Sequence, residues 1–403
     1  MNDQSFIKIY NGRILTPYRT IKNGVLVIRD GIIAEVSEQP VEVPGALEID
    51  AGGNYIAPGF VDIHVHGGGG ADFMDGTEEA FLHIAETHVR YGTTALTPTT
   101  LTSEKEDMIQ TVAAYERAAR KNKKGASFIG MHLEGPYFAM SQRGAQDPRY
   151  IRLPDPQEYQ EILSRSGPGV IRRWSAAPEL EGALALGQYL TSKGVLVSAA
   201  HTDAIYEDVI RAFENGYTLA THLYSAMSGV TRRNAFRYAG VIESALLIDE
   251  MDVEIIADGV HLPAPLLQLV YKTKGADRTA LITDAIRAAG GPPGESVIGS
   301  LRNGLKVIVE DDVAKLPDRS SFAGSVATAD RLVRTMTGIA GVPLIDAVRM
   351  MSSTPARIMG VAANKGTLAK GKDADVVIFD EGINIQMTIV GGRILYSGPA
   401  SGE

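Results

Sequence analysis

The chain has 403 residues, 44% hydrophobic and 22% charged, which is enough apolar material for a large barrel with a smaller companion and excludes a disordered or fibrous protein. Its 39 basic residues against 48 acidic ones leave a formal charge of −9, which argues against gripping nucleic acid by bulk positive charge. Cysteine is absent, so disulfides, thiolate metal sites and a thiol nucleophile fall away together, and any metal must sit on His, Asp and Glu.

The first ten residues lack the basic start and apolar stretch of a secretory leader, and no run is long enough to cross a bilayer, so a soluble cytoplasmic protein with no membrane partner is expected. Short strands are expected at 6–10, 13–15, 25–29 and 32–36, with Asp30-Gly31 as a tight hairpin turn. From residue 60 onward, apolar runs alternate with helical periodicity. The runs are 60–65, 93–98, 127–133, 173–177, 195–200, 218–223, 253–257 and 279–283, and helices are expected at 104–120 and 205–215. Eight strand and helix pairs predict an α/β chain with a (β/α)8 TIM-like barrel over 60–355, whose active site lies at the C-terminal strand ends. Strands return at 375–379, 385–390 and 393–396, and Gly391-Gly392-Arg393-Ile394-Leu395 echoes Asn11-Gly12-Arg13-Ile14-Leu15. The two chain ends, 1–59 and 356–403, are therefore expected to build one small β-sandwich domain.

Six of the eight histidines fall at or just past expected strand ends: His64, His66, His132, His201, His222 and His261. A single histidine of this kind is more often a hydrogen-bonded core residue than a ligand, but recurrence at equivalent barrel positions reverses that preference. His64 and His66 are two apart on a strand and so share a face. Glu134, in His132-Leu133-Glu134-Gly135-Pro136, adds a carboxylate which, with His201 and His222, makes a His2Glu set with room for water. Asp284 follows the eighth run. It is either the N-cap of a following helix or a carboxylate placed to take a proton from an attacking water and pass it to a leaving group. His261, in Asp258-Gly259-Val260-His261, either polarises a substrate carbonyl or only hydrogen-bonds a loop.

These motifs resemble the N-acetylglucosamine-6-phosphate deacetylases of the amidohydrolase superfamily. The likeness is carried by Pro58-Gly59-Phe60-Val61-Asp62-Ile63-His64-Val65-His66-Gly67, His132-Leu133-Glu134-Gly135-Pro136, Thr221-His222-Leu223-Tyr224, Asp258-Gly259-Val260-His261, Thr283-Asp284-Ala285 and Gly371-Lys372-Asp373-Ala374-Asp375. The resemblance implies a metal-dependent amide hydrolase that removes acetate from N-acetylglucosamine 6-phosphate. It implies one divalent ion, zinc or iron, on Glu134, His201 and His222. A second ion is implied on His64 and His66, with Glu134 and Asp284 contributing. It further implies Asp284 as catalytic acid and base, His261 beside the acetamide, and substrate contacts from Ala145, Gln146, Ser225, Ala226, Phe322, Ala323 and Gly324. Arg233, next to Arg232, takes the place of an arginine that reaches the sugar phosphate, often from the neighbouring subunit, so a homodimer is implied.

Two positions depart from the family pattern. Ser225 stands where the family usually has Asn, and Gln146 stands where many members have His and others Gln. Either change points to a different epimer, such as N-acetylgalactosamine 6-phosphate, as the alternative substrate. Other amidohydrolases carry a bridging lysine on the fourth strand, and residues 173–178 contain none. A non-catalytic sugar-phosphate sensor would show erosion of the metal set or of Asp284, and neither is eroded.

Overall fold

The computed structural model describes residues 6–398. Five strands from the start of the chain (Phe6–Leu15, Thr20–Arg29, Ile32–Ser37, Leu47–Asp50 and Tyr55–Pro58) join three from its end (Val376–Phe379, Ile385–Val390 and Arg393–Ser397) in a single eight-stranded sheet. The seam is antiparallel, with Pro58 opposite Val376 and Tyr55 opposite Phe379. The expected strands 6–10 and 13–15 are one strand: the register shifts on either side of Gly12, beside Asn11 with φ +55°, but Gly12 still pairs with Gly24 and Arg13 with Lys22. Its first half pairs with Leu47–Asp50 and its second half with Tyr55–Pro58, two strands that alternation alone did not reveal. Inward residues such as Ile9, Ile14, Leu26, Ile56, Val376 and Ile389 make one core between the chain ends.

The expected turn at Asp30-Gly31 and the turn at Gly391-Gly392 pack against each other across the two chain ends. Asp30 and Gly31 have φ of +50° and +80°, Gly391 and Gly392 +52° and +74°, so both turns are of the kind that suits a right-twisted hairpin. The turns touch: a Cβ on Gly392 would lie 2.6 Å from Cα of Gly31.

Eight parallel strands follow one another in the middle of the chain: Phe60–Val65, Thr93–Pro98, Met131–Glu134, Ile171–Ala176, Leu196–Ala199, Tyr217–Ala220, Asp252–Ile255 and Thr279–Leu281. The last six form one sheet and the first two belong to another. Single parallel bridges join the sheets at both edges, Thr99 to His132 and Val65 to Ala285, and the Asp284 N–H donates to the His64 carbonyl at 3.0 Å. The arrangement is an α/β barrel of the TIM type. The third expected run, 127–133, divides at Gly130 (φ +108°), so that Ser127–Phe128 pairs with the second strand and Met131–Glu134 with the fourth.

Helices Lys105–Lys121 and Tyr206–Glu214 stand where the periodicity placed them. The short helix Ser353–Ile358 buries Ala356 and Ile358 against Val61, Ile63 and Ile282 at the barrel floor, just before the chain returns to the terminal sheet. Among the described residues no helix is long and apolar enough to cross a membrane.

Candidate metal centre and active site

The C-terminal strand ends open into a cavity of about 470 Å³ lined by His66, Glu134, His201, His222, His261 and Asp284 together with the loops above them. His66, just past the first strand, lines it, His64 lies buried two residues earlier on the same face, and Glu134 ends the third strand. His201, His222 and Asp284 each follow a strand with positive φ (+47°, +32° and +49°), a backbone state rare for such residues, and three occurrences around one cavity mark a functional rim.

The side chains converge. Nε2 of His64 lies 3.2 Å from Nε2 of His66. Oε1 of Glu134 is 3.1 Å from Nε2 of His222, 3.4 Å from His64 and 3.5 Å from His201, while its Oε2 is 3.5 Å from His66. Oδ1 of Asp284 is 3.1 Å from His66 and 3.4 Å from His64. Burial by itself would raise the Glu134 carboxyl, but the surrounding imidazoles of His64, His201 and His222 hold it well below the usual range. Asp284 is lowered in the same way: burial opposes the shift, and His64 and His66 prevail. Burial disfavours charge on His66, yet the hydrogen bond to Asp284 and the two carboxylates push it up to about 9. The nest thus holds negative charge and draws a positive one.

A divalent cation fits this donor set. Two groups of ligand atoms lie close enough to share an ion, His64, His66 and Glu134 in one and Glu134, His201 and His222 in the other. The imidazoles turn Nε2 toward the carboxylates, and Nδ1 of His201 is 2.8 Å from the Gln142 carbonyl, so its N–H is used there and Nε2 is left as a lone-pair donor. Nδ1 of His64, His66 and His222 finds no hydrogen-bond partner among the described groups, and Glu254 Oε2 stands 3.7 Å from Nδ1 of His64.

His132 does not join the nest. Its Nε2 lies 2.6 Å from Ser175 Oγ on the neighbouring strand, and its ring packs edge-on against His64 with centroids 4.8 Å apart. Beneath it, Arg173 and Glu254 form a wholly buried ion pair, with Arg173 also donating to Thr221 Oγ1 at 2.9 Å and Ser198 Oγ at 3.2 Å. Neither was legible as a site residue, because one arginine or glutamate in an apolar run carries no spacing signal.

His261 lines the cavity with its Nδ1 held 2.8 Å from Asp258 Oδ2 and its ring packed on Phe322. Burial would push the Asp258 carboxyl up, but the hydrogen bond and charge of His261 bring it below the ordinary value. Ala145, Gln146, Ser225, Ala226, Phe322 and Gly324 also line the cavity, whereas Ala323 is buried behind it, its N–H donating to the Ala314 carbonyl. Arg143 is a lining cation that the sequence reading did not single out. Arg232 and Arg233 are exposed on the hairpin of Thr231–Arg233 and Phe236–Tyr238 and are not among the residues lining the cavity of their own chain.

A barrel with this rim is the architecture of the amidohydrolases, and the Amidohydrolase family profile matches residues 55–395. The chain is 35% identical over 375 residues to the N-acetylglucosamine-6-phosphate deacetylase of Lysinibacillus sphaericus, spanning 91% of this chain and 92% of the relative. It is 32% identical over 383 residues to the N-acetylgalactosamine-6-phosphate deacetylase of Escherichia coli O157:H7, spanning 95% and 97%. Among solved structures, a mutant N-acetyl-D-glucosamine-6-phosphate deacetylase from Mycobacterium smegmatis, in complex with N-acetyl-D-glucosamine-6-phosphate, aligns with a TM-score of 0.89 at 30% identity, covering 98% of this chain and 100% of that one. The chain belongs to the N-acetylglucosamine-6-phosphate deacetylase family of the amidohydrolase superfamily.

Proposed function

We propose that this protein is a metal-dependent amide hydrolase that removes acetate from N-acetylglucosamine 6-phosphate and leaves glucosamine 6-phosphate. The observation that carries the reading is the convergence of Glu134, Asp284 and four imidazoles at the floor of one cavity. Glu134, His201 and His222 would hold one zinc or iron ion, and His64 and His66 with Glu134 and Asp284 a second; metal there would polarise the carbonyl and acidify the attacking water. Asp284, held ionised by its surroundings, takes the proton that water loses as its oxygen bonds to the acetyl carbon. His261, anchored through Nδ1 by Asp258, has its other ring nitrogen for the amide oxygen, where negative charge develops. As the C–N bond breaks, Asp284 returns its proton to the departing amine, which completes acetate and the amino sugar.

Ser225, Ala226, Ala145, Gln146, Phe322 and Gly324 are proposed to shape the sugar subsite, with Ala323 behind them. The phosphate is proposed to meet Arg233 of a neighbouring copy in a homodimer, because that hairpin stands outside its own cavity. The architecture is read as the barrel over 60–355 and a small β-sandwich domain from 1–59 and 356–403, with the chain passing from one to the other at the helix Ser353–Ile358. A cytoplasmic place suits a phosphorylated substrate.

Ser225 favours a second reading, the galacto epimer, since a hydroxyl is shorter than an amide and carries no amide N–H. Acetate release from both epimers by metal-loaded protein separates the two. A kcat/KM above about 10⁴ M⁻¹s⁻¹ is expected with N-acetylglucosamine 6-phosphate. A value far below that, with the galacto epimer fast, moves the assignment to N-acetylgalactosamine 6-phosphate.

A further inference from the structure

We propose that Gln146 is a positioning residue for the metal centre: it pins one oxygen of Glu134 toward His66 and so sets how tightly the second of two divalent ions is held. The inference rests on the metal-dependent reading above. Glu134 is the one residue common to both ligand groups. Its Oε1 faces His222, His64 and His201, whereas Oε2 faces His66 at 3.5 Å and receives the Gln146 amide N–H at 2.7 Å.

The direction of that amide is decided by its other end. Oε1 of Gln146 accepts from both the backbone N–H and the hydroxyl of Thr102, each at 2.9 Å. Reversing the amide would turn its NH2 onto a backbone N–H and its carbonyl oxygen onto a carboxylate, losing the contacts to the Thr102 N–H and to Glu134 and keeping only the one to the Thr102 hydroxyl. Gln146 is itself buried, and its own N–H is tied to the Arg143 carbonyl at 2.9 Å. A carboxylate that would offer one oxygen to each of two ions needs a set torsion, and that torsion is broad unless something fixes it. A neutral amide clamped by Thr102 fixes it without altering the charge of the nest.

The test is metal titration of the metal-stripped full chain with Zn²⁺, following stoichiometry and stepwise affinity for wild type, Gln146→Leu and Thr102→Val. Wild type is expected to take two equivalents. In Gln146→Leu the first step stays within about twofold, while the second weakens by about 10- to 100-fold, the usual cost of losing a group that orients a ligand. Thr102→Val, nearly isosteric and less of a risk to folding, is expected to give the same selective loss in smaller measure. Equal loss at both steps, or no loss at either, overturns the proposal. A wild type that binds a single equivalent also overturns it, and acetate release by that one-ion protein would leave the deacetylase reading standing. Two-step binding with the selective loss but no acetate release would sustain this proposal and remove the proposed function.

Discussion

In the proposed reaction Asp284 bears the strictest demand of any single residue, since it would have to be ionised before the attack and protonated after it. Its backbone is locked by the hydrogen bond to His64 and its carboxylate is kept ionised by two imidazoles, so the base is ready at neutral pH. Asp284→Asn is expected to retain substrate binding, measured calorimetrically, while kcat falls by about 10²- to 10⁴-fold. Near-normal turnover would take Asp284 out of the reaction. Arg233→Ala is expected to raise KM for the phosphorylated sugar with little change in kcat, because a charge-assisted contact to a remote phosphate is made equally in ground and transition states. If the unphosphorylated sugar loses as much, the phosphate lies elsewhere, and Arg143 becomes the next cation to replace. At this scale the histidine pair and Glu134 were legible because ligand chemistry forces a spacing. Thr102 was not, since nothing local distinguishes a threonine that orients an amide from any other.

Among the elements, the junction between chain ends depends on one half-buried cation. Lys365 Nζ lies 2.9 Å from Asp373 Oδ2 and 2.7 Å from Asp375 Oδ2, while Asp375 Oδ1 accepts from the Gly391 N–H at 2.9 Å and its carbonyl from the Gly59 N–H at 3.0 Å. One residue, through its carboxylate and its carbonyl, thus ties the return of the chain to the last hairpin and the first barrel strand. Lys365→Met is expected to lower stability to denaturant by about 3–5 kcal/mol at neutral pH, since it strands a buried charge. The pH dependence has a definite sign. Burial raises the Asp375 carboxyl even with Lys365 opposing it, so ionising it works against the fold, and without the lysine it rises further. The deficit of the variant should therefore shrink as pH falls from neutral into the acid range. Denaturant curves at several pH values check this, and a deficit that grows on acidification would contradict it. The hairpins around Asp30 and Gly391 were legible from turn residues, but the strands Leu47–Asp50 and Tyr55–Pro58 were not, because their pairing partners are distant in sequence.

For the molecule as a whole, the metal nest sits where all the barrel strands end, so its occupancy couples to the stability of the fold. Chelation is expected to lower the thermal midpoint, and the loss should grow with the free metal present beforehand, about 4 kcal/mol where metal stood at 1,000 times its Kd. A midpoint indifferent to chelator would mean that protein contacts alone hold the nest together. The sequence by itself determined the barrel class, the candidate ligand residues and their strand-end placement, because periodicity and the two-residue repeat of a strand are local properties that pairing does not alter. Only the tertiary structure decided that His132 turns away to Ser175 while Glu134 stands between two groups of imidazoles, that Arg173 and Glu254 pair beneath them, and that the two glycine turns at opposite chain ends rest on each other. Each of these depends on which strands become neighbours, and that is settled by long-range packing rather than by any local run of residues.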